Sequence, residues 1–147
     1  MPTEKLEFNI TLSGTYWDKK PQFAILINGV EQHRDIVSTL SDETFNVTFS
    51  ADLEEEQVHV LSISLLNKTD LDTLENSDKT GIEKDMLLNI VDVEIDGISL
   101  GTLKWSNSEY IVPHLDRTIT NCVNLGWNGS WNFKFSSPFY IWLLENM

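Results

Sequence analysis

Six carboxylates, Asp70, Asp72, Glu75, Asp78, Glu83 and Asp85, crowd into residues 67–85. With Asn67 and the backbone carbonyls of a long connection, they offer what a hard cation such as calcium needs, roughly 6–8 oxygens at about 2.3–2.6 Å. The spacing is not that of an EF-hand, because the sixth position from Asp70 is Glu75 and the twelfth is Gly81. A solvated acidic loop has the same composition, and a connection this long in a small domain is either functional or disordered.

Other reactive patterns are few. Gly97-Ile98-Ser99-Leu100-Gly101 fits the nucleophile elbow of hydrolases, which needs a strand-to-helix turn followed along the chain by an acid and then a histidine. Here it follows an Asp-Gly turn, Thr102-Leu103-Lys104-Trp105 reads as continuing strand, and the only downstream histidine, His114, precedes Asp116. Ser99 is therefore expected to be an ordinary strand residue. His33, His59 and His114 stand at no zinc-ligand spacing from one another or from the lone Cys122. No glycine-rich phosphate loop precedes a helix. No catalytic residues are expected, and the chain is read as a protein that is not an enzyme.

Two aromatic groups offer binding surfaces instead. Tyr16 and Trp17 precede the turn-like Asp18-Lys19-Lys20-Pro21. A flat, accessible ring there would stack on a sugar, or else cap the end of a strand. Trp105, Trp127 and Trp131 also lie near turns, without a clear role. At the end of the chain Phe139, Ile141 and Leu143 alternate with Tyr140, Trp142 and Leu144. Read as a strand, this segment has two apolar faces. The second needs cover, either from residues 114–123 or from a partner docking on Tyr140 and Trp142.

The elements that must position these residues show a period of two. Leu6, Phe8, Ile10 and Leu12 alternate with polar residues, as do Phe45, Val47 and Phe49, and Trp131, Phe133 and Phe135. Phe23 to Ile27 is apolar throughout. The run from Val58 to Leu66 starts on one phase (Val58, Val60) and continues on the other (Leu61, Ile63, Leu65), which predicts a β-bulge. Asn28-Gly29 and Asp96-Gly97 predict type I′ hairpin turns. The expected architecture is all-β: a two-sheet antiparallel β-sandwich, jelly-roll-like, of eight or nine strands without helix.

The 147 residues suffice for one domain, taken as 1–147 with the acidic loop at 67–85. A formal charge of −13, from 10 Lys and Arg against 23 Asp and Glu, excludes a phosphate-backbone partner, so no nucleic acid is expected. Acidity also disfavours anionic lipid. No apolar run approaches the ~20 residues of a membrane span, so no membrane insertion is expected. The N-terminus shows no secretion signal, so the Asn-x-Ser/Thr matches at Asn9, Asn46, Asn67 and Asn128 are read as chance. Synthesis and folding in a cytoplasm are expected.

The run from Val58 through Asn67, the acidic loop to Asp85, and Met86 through Asp96-Gly97 resemble the centre of the small calcium-dependent xylan-binding carbohydrate-binding modules. The resemblance covers residues 23–103. It implies a jelly roll, calcium as cofactor, glycan as partner, and a calcium loop at Asn67 and Asp85 with Asp70, Asp72 or Asp78. The ending, from Asn124-Leu125-Gly126-Trp127 to Glu145, is similar to small virion proteins of tailed phages, particularly T4-like phages of marine bacteria. That second resemblance implies a structural or decoration protein of a capsid, neck or tail, assembled with other virion proteins. The first implies the alternative, a calcium-dependent glycan-binding module.

Overall fold

The computed structural model describes residues 2–17, 19–69, 74–75 and 82–146, without the side chains of residues 74, 75, 82–84 and 114. In chain order the strands are β1 (Thr3–Thr15), β2 (Gln22–Ile27), β3 (Val30–Ile36), β4 (Thr44–Glu54), β5 (Val58–Leu65), β6 (Leu74–Glu75), β7 (Ile82–Lys84), β8 (Leu87–Ile95), β9 (Ile98–Ser99), β10 (Ser108–Val112), β11 (Arg117–Thr120), β12 (Asn124–Leu125) and β13 (Gly129–Ser136). Helix α1 (Leu103–Ser106) follows β9, and α2 (Phe139–Asn146) follows β13.

The alternation along β1 explains the architecture. Leu6, Phe8, Ile10 and Leu12 are at most 2% exposed, while Glu7, Asn9 and Thr11 face outward. Each such apolar side chain contributes roughly 1.5–3 kcal/mol on burial. One sheet runs β12–β8–β1–β4 with β9 paired to β8, and the other runs β11–β10–β13–β5–β2–β3. All pairings in both sheets are antiparallel. The core between them joins β1 and β8 to Phe23, Ile25, Ile63, Trp131, Phe133 and Phe135 of the facing sheet. The two-sheet sandwich is as expected, with eleven strands in these sheets rather than eight or nine, and a further small pair, β6–β7. No helix among the described residues is long and apolar enough to cross a membrane.

Both hairpins form where their dipeptides predict. Asn28 and Gly29 have φ of 51° and 81°, and Asp96 and Gly97 have 52° and 77°, the positive values that a type I′ turn requires at both positions. The bulge lies elsewhere than expected. Strand β5 keeps one phase, His59, Leu61, Ile63 and Leu65 all facing the core, with Val58 outside. His59 is buried because both ring nitrogens are engaged, Nε2 with the Glu54 carbonyl at 2.8 Å and Nδ1 with the Asn28 carboxamide at 2.9 Å. Its polar type disguises a core position. One register break lies between β1 and β8, where Thr11 pairs with Asp92 and Leu12 with Ile90, leaving Val91 as the extra residue, and another lies between β2 and β3 at Ile25 and Leu26.

Two other expectations are corrected. Leu103–Ser106 forms one helical turn, α1, where strand was expected to continue. The C-terminal segment is the helix α2 rather than a strand, which regroups its side chains. Phe139 and Leu143 are buried, and Trp142 is half-buried against the rings of Phe133, Phe135 and Phe139. Tyr140, Ile141 and Leu144 face outward. Trp142 therefore does not share an exposed face with Tyr140, because helical spacing puts residues three and four apart on one side. Strand β13 covers the apolar side of α2 through these rings, where residues 114–123 had been a candidate cover. The helix is held by Glu4, whose carboxylate oxygen accepts the Phe139 N–H at 3.0 Å and the Ser137 hydroxyl at 2.7 Å. An anion there matches the unpaired N–H groups and the dipole of a helix start.

Candidate binding site at the loop end

Antiparallel pairing brings distant segments to one end of the sandwich. Strand β1 ends there at Thr15, opposite Leu87 at the start of β8. Strand β13 starts there at Gly129, opposite Leu65 at the end of β5. Among the described residues, 16–17, 19–21, 37–43, 66–69, 85–86 and 121–128 therefore meet at this end, and Tyr16, Trp17, Asn67 and Asp85 share it. Tyr140 and Trp142 lie at the other end.

Tyr16 is anchored. Its hydroxyl donates to the Thr39 carbonyl at 3.0 Å and its N–H to the Ser41 hydroxyl at 3.1 Å. Its half-buried ring packs on the core, so Tyr16 supports Trp17, which is 41% exposed. Asn67 is a joint between segments: Oδ1 accepts the Gln22 N–H at 2.8 Å and Nδ2 donates to the Lys20 carbonyl at 3.0 Å. Lys68 and Asn128 bond backbone to carboxamide in both directions, at 2.7 and 2.9 Å. The Lys68 ammonium, whose side chain is 9% exposed, reaches the Asp85 carboxylate and the Met86 carbonyl. Asp85 also accepts the Met86 N–H at 2.8 Å.

This arrangement bears on calcium. Asn67 and Asp85 tie down the two feet of the acidic loop: Asn67 Oδ1 accepts from the Gln22 N–H, and Asp85 Oδ1 accepts from the Lys68 ammonium and the Met86 N–H. Asp70, Asp72 and Asp78 lie outside the described residues. Among the described residues no group of three or more His, Cys, Asp or Glu is placed to hold a metal ion.

A residue given no role in the sequence reading joins this end. Trp127 is 40% exposed, and the buried Tyr110 fixes its backbone: the Tyr110 hydroxyl donates to the Trp127 carbonyl and accepts its N–H at 2.9 Å. Burial pushes the Tyr110 hydroxyl up from about 10 to about 12, against the Trp127 backbone bond, which lowers it, with a smaller rise from the Cys122 charge. An open depression of about 370 Å³ at this end is lined by Ser64, Leu66, Pro113, Asn128 and Ser130. The only hint in the sequence is Trp127-Asn128-Gly129 just before an alternating strand. Of the other tryptophans, Trp131 is core and Trp105 is exposed on α1, between β9 and β10. Ser99 donates to Asp92 at 2.6 Å in the hairpin, a structural bond.

The two antiparallel sheets pack as a β-sandwich with exposed aromatics at its loop end. Its fold is similar to that of two solved carbohydrate-binding-module structures. One, described as "vCBM60 in complex with galactobiose", aligns with a TM-score of 0.51 at 11% identity, over 86% of this chain and 96% of its own. Another is the selenomethionine form of vCBM60, whose description concerns "two families of calcium-dependent carbohydrate binding modules". It aligns with a TM-score of 0.59 at 10% identity, over 87% of this chain and 89% of its own. At such identity the likeness is one of fold. No protein-family profile matches the sequence, and no curated protein does.

Proposed function

We propose that the chain is a single, non-catalytic sandwich domain that binds glycan at its loop end. The observation that carries this reading is that two exposed indoles, Trp17 and Trp127, lie in segments at the same end of the sandwich. Exposed flat faces suit the apolar side of a sugar ring, and Asn128, Ser64 and Ser130 supply hydroxyl partners at this end. The calcium dependence of the similar solved modules supports calcium as a companion of the ligand. Its oxygens would come from Asn67 and Asp85, at the feet of the acidic loop, with Asp70, Asp72 or Asp78. A glycan array that includes galactan and xylan fragments, probed with calcium and with chelator, tests the reading. Binding lost in Trp17→Ala and Trp127→Ala at unchanged melting temperature supports it; no binding to any glycan in either condition refutes it.

A second reading concerns where such binding is used. The likeness of the chain's ending to small virion proteins supports a place as an accessory or decoration component of a tailed-phage particle, folded in the host cytoplasm. The outward side of α2, with Tyr140 52% and Leu144 75% exposed, supplies an apolar patch for docking on other virion proteins. Localising the chain in an intact particle tests this, and its absence from purified particles refutes it.

A further inference from the structure

Sheet edges expose alternate N–H and C=O groups, and proteins blunt them with charge, proline, bulges or shortness. Among the described residues, three of the edges here are blunted. Strand β3 carries Glu31, Arg34 and Asp35 and faces a register break with β2. Strand β11 has 4 residues, and β12 has 2. Strand β4 is different. It is 11 residues long, pairs among the described residues only with β1, and does so without a register break. From Thr44 to Ala51 it contains no charge and no proline. Its core-side rings are also incompletely covered: Phe45 and Phe49 are half-buried, although Leu12 and Phe8, their partners on β1, are essentially buried.

We propose that the free edge of β4 is a self-association surface on which a second copy of this chain pairs antiparallel about a two-fold axis at Thr48. Self-complementarity singles out this occupant. The two-fold places Thr48 opposite its counterpart, Asn46 opposite Ser50, and Val47 opposite Phe49, hydroxyl and apolar pairs that favour an antiparallel ladder. No like charges meet within the uncharged stretch. The pairing continues one sheet through both copies and covers Phe45 and Phe49. Because β4 starts at the loop end and the partner strand runs the other way, the two loop ends point in opposite directions. The pair is then a two-ended connector rather than one enlarged site. The proposal stands apart from glycan binding, since none of these residues belongs to the loop end.

Sedimentation velocity of the full chain across concentration, at low and high salt, tests it. The expected result is a monomer–dimer equilibrium that shifts toward dimer as salt rises, because each copy carries a charge of −13 that screening relieves. Thr48→Lys, which sets two ammonium groups face to face, should give a monomer with unchanged circular dichroism. Thr48→Cys combined with Cys122→Ser should yield a disulfide-linked dimer on mild oxidation, directly opposed strand residues being within bridging distance. A wild-type chain that stays monomeric at every concentration and salt overturns the proposal. So does a dimer that survives Thr48→Lys, or one in which Thr48→Cys fails to cross-link.

Discussion

Tyr110→Phe removes a single oxygen and tests how the loop end is built. In the wild type that oxygen satisfies both the N–H and the carbonyl of Trp127. Its loss leaves two part-buried backbone groups without this partner, an expected cost of about 1–2 kcal/mol near neutral pH. The hydroxyl also makes stability depend on alkali. Its ionisation moves from about 10 in the unfolded chain to about 12 in the folded one. Between these values the folded state holds the proton and the unfolded state does not, so stability falls as pH rises, at about 1.4 kcal/mol per pH unit. The contribution is fully present below about pH 10, and about 3 kcal/mol of it is lost by about pH 12. Urea unfolding of wild type and variant across this range isolates the effect, because other titrations cancel in the difference. The advantage of the wild type should shrink steadily above about pH 10. Parallel curves for the two proteins would refute the assignment of a buried Tyr110 hydroxyl clamping Trp127.

Other consequences are equally direct. Gly129→Ala would drive a Cβ into the carbonyl oxygen of Ile111, a rigid backbone atom, so the variant should lose several kcal/mol, about 3 or more, by thermal unfolding. Glu4→Ala removes the acceptor at the start of α2 and should cost about 1 kcal/mol, seen as a lower melting temperature, with Glu4→Gln recovering part of it. Lys68→Met leaves the Asp85 carboxylate without its cation in a partly enclosed place. It should cost about 2–3 kcal/mol by urea unfolding, while Lys68→Met with Asp85→Leu recovers most of the loss.

The fold could be read wherever local chemistry decides structure. The alternation in β1, β4 and β13 follows from one face being buried, and the Asn28-Gly29 and Asp96-Gly97 turns follow from the need for positive φ. The reading fails where a distant partner decides. An unbroken apolar run such as residues 139–144 has no period to separate strand from helix. What starts α2 is a carboxylate 135 residues away in sequence, at Glu4. His59 looks polar until Asn28 and the Glu54 carbonyl supply its partners, so the phase of β5 could not be followed. At the loop end Tyr16-Trp17 can be found from its flanking turn. Trp127 cannot, because its support comes from Tyr110 and from the Lys68–Asn128 bonds, 60 residues apart in sequence. The acidic loop advertises a metal by composition, but the geometry of its two described ends depends on Lys68, whose pairing with Asp85 no spacing rule anticipates.

The most direct test of glycan binding at the loop end uses the indole N–H signals of the five tryptophans. In a titration followed by nuclear magnetic resonance with a glycan selected from the array, the signals of Trp17 and Trp127 should shift in a saturable way. Those of Trp105 on α1 and Trp142 on α2, outside the loop end, should stay fixed. Saturable shifts confined to Trp105 or Trp142, or binding that leaves Trp17 and Trp127 unmoved, would contradict the account.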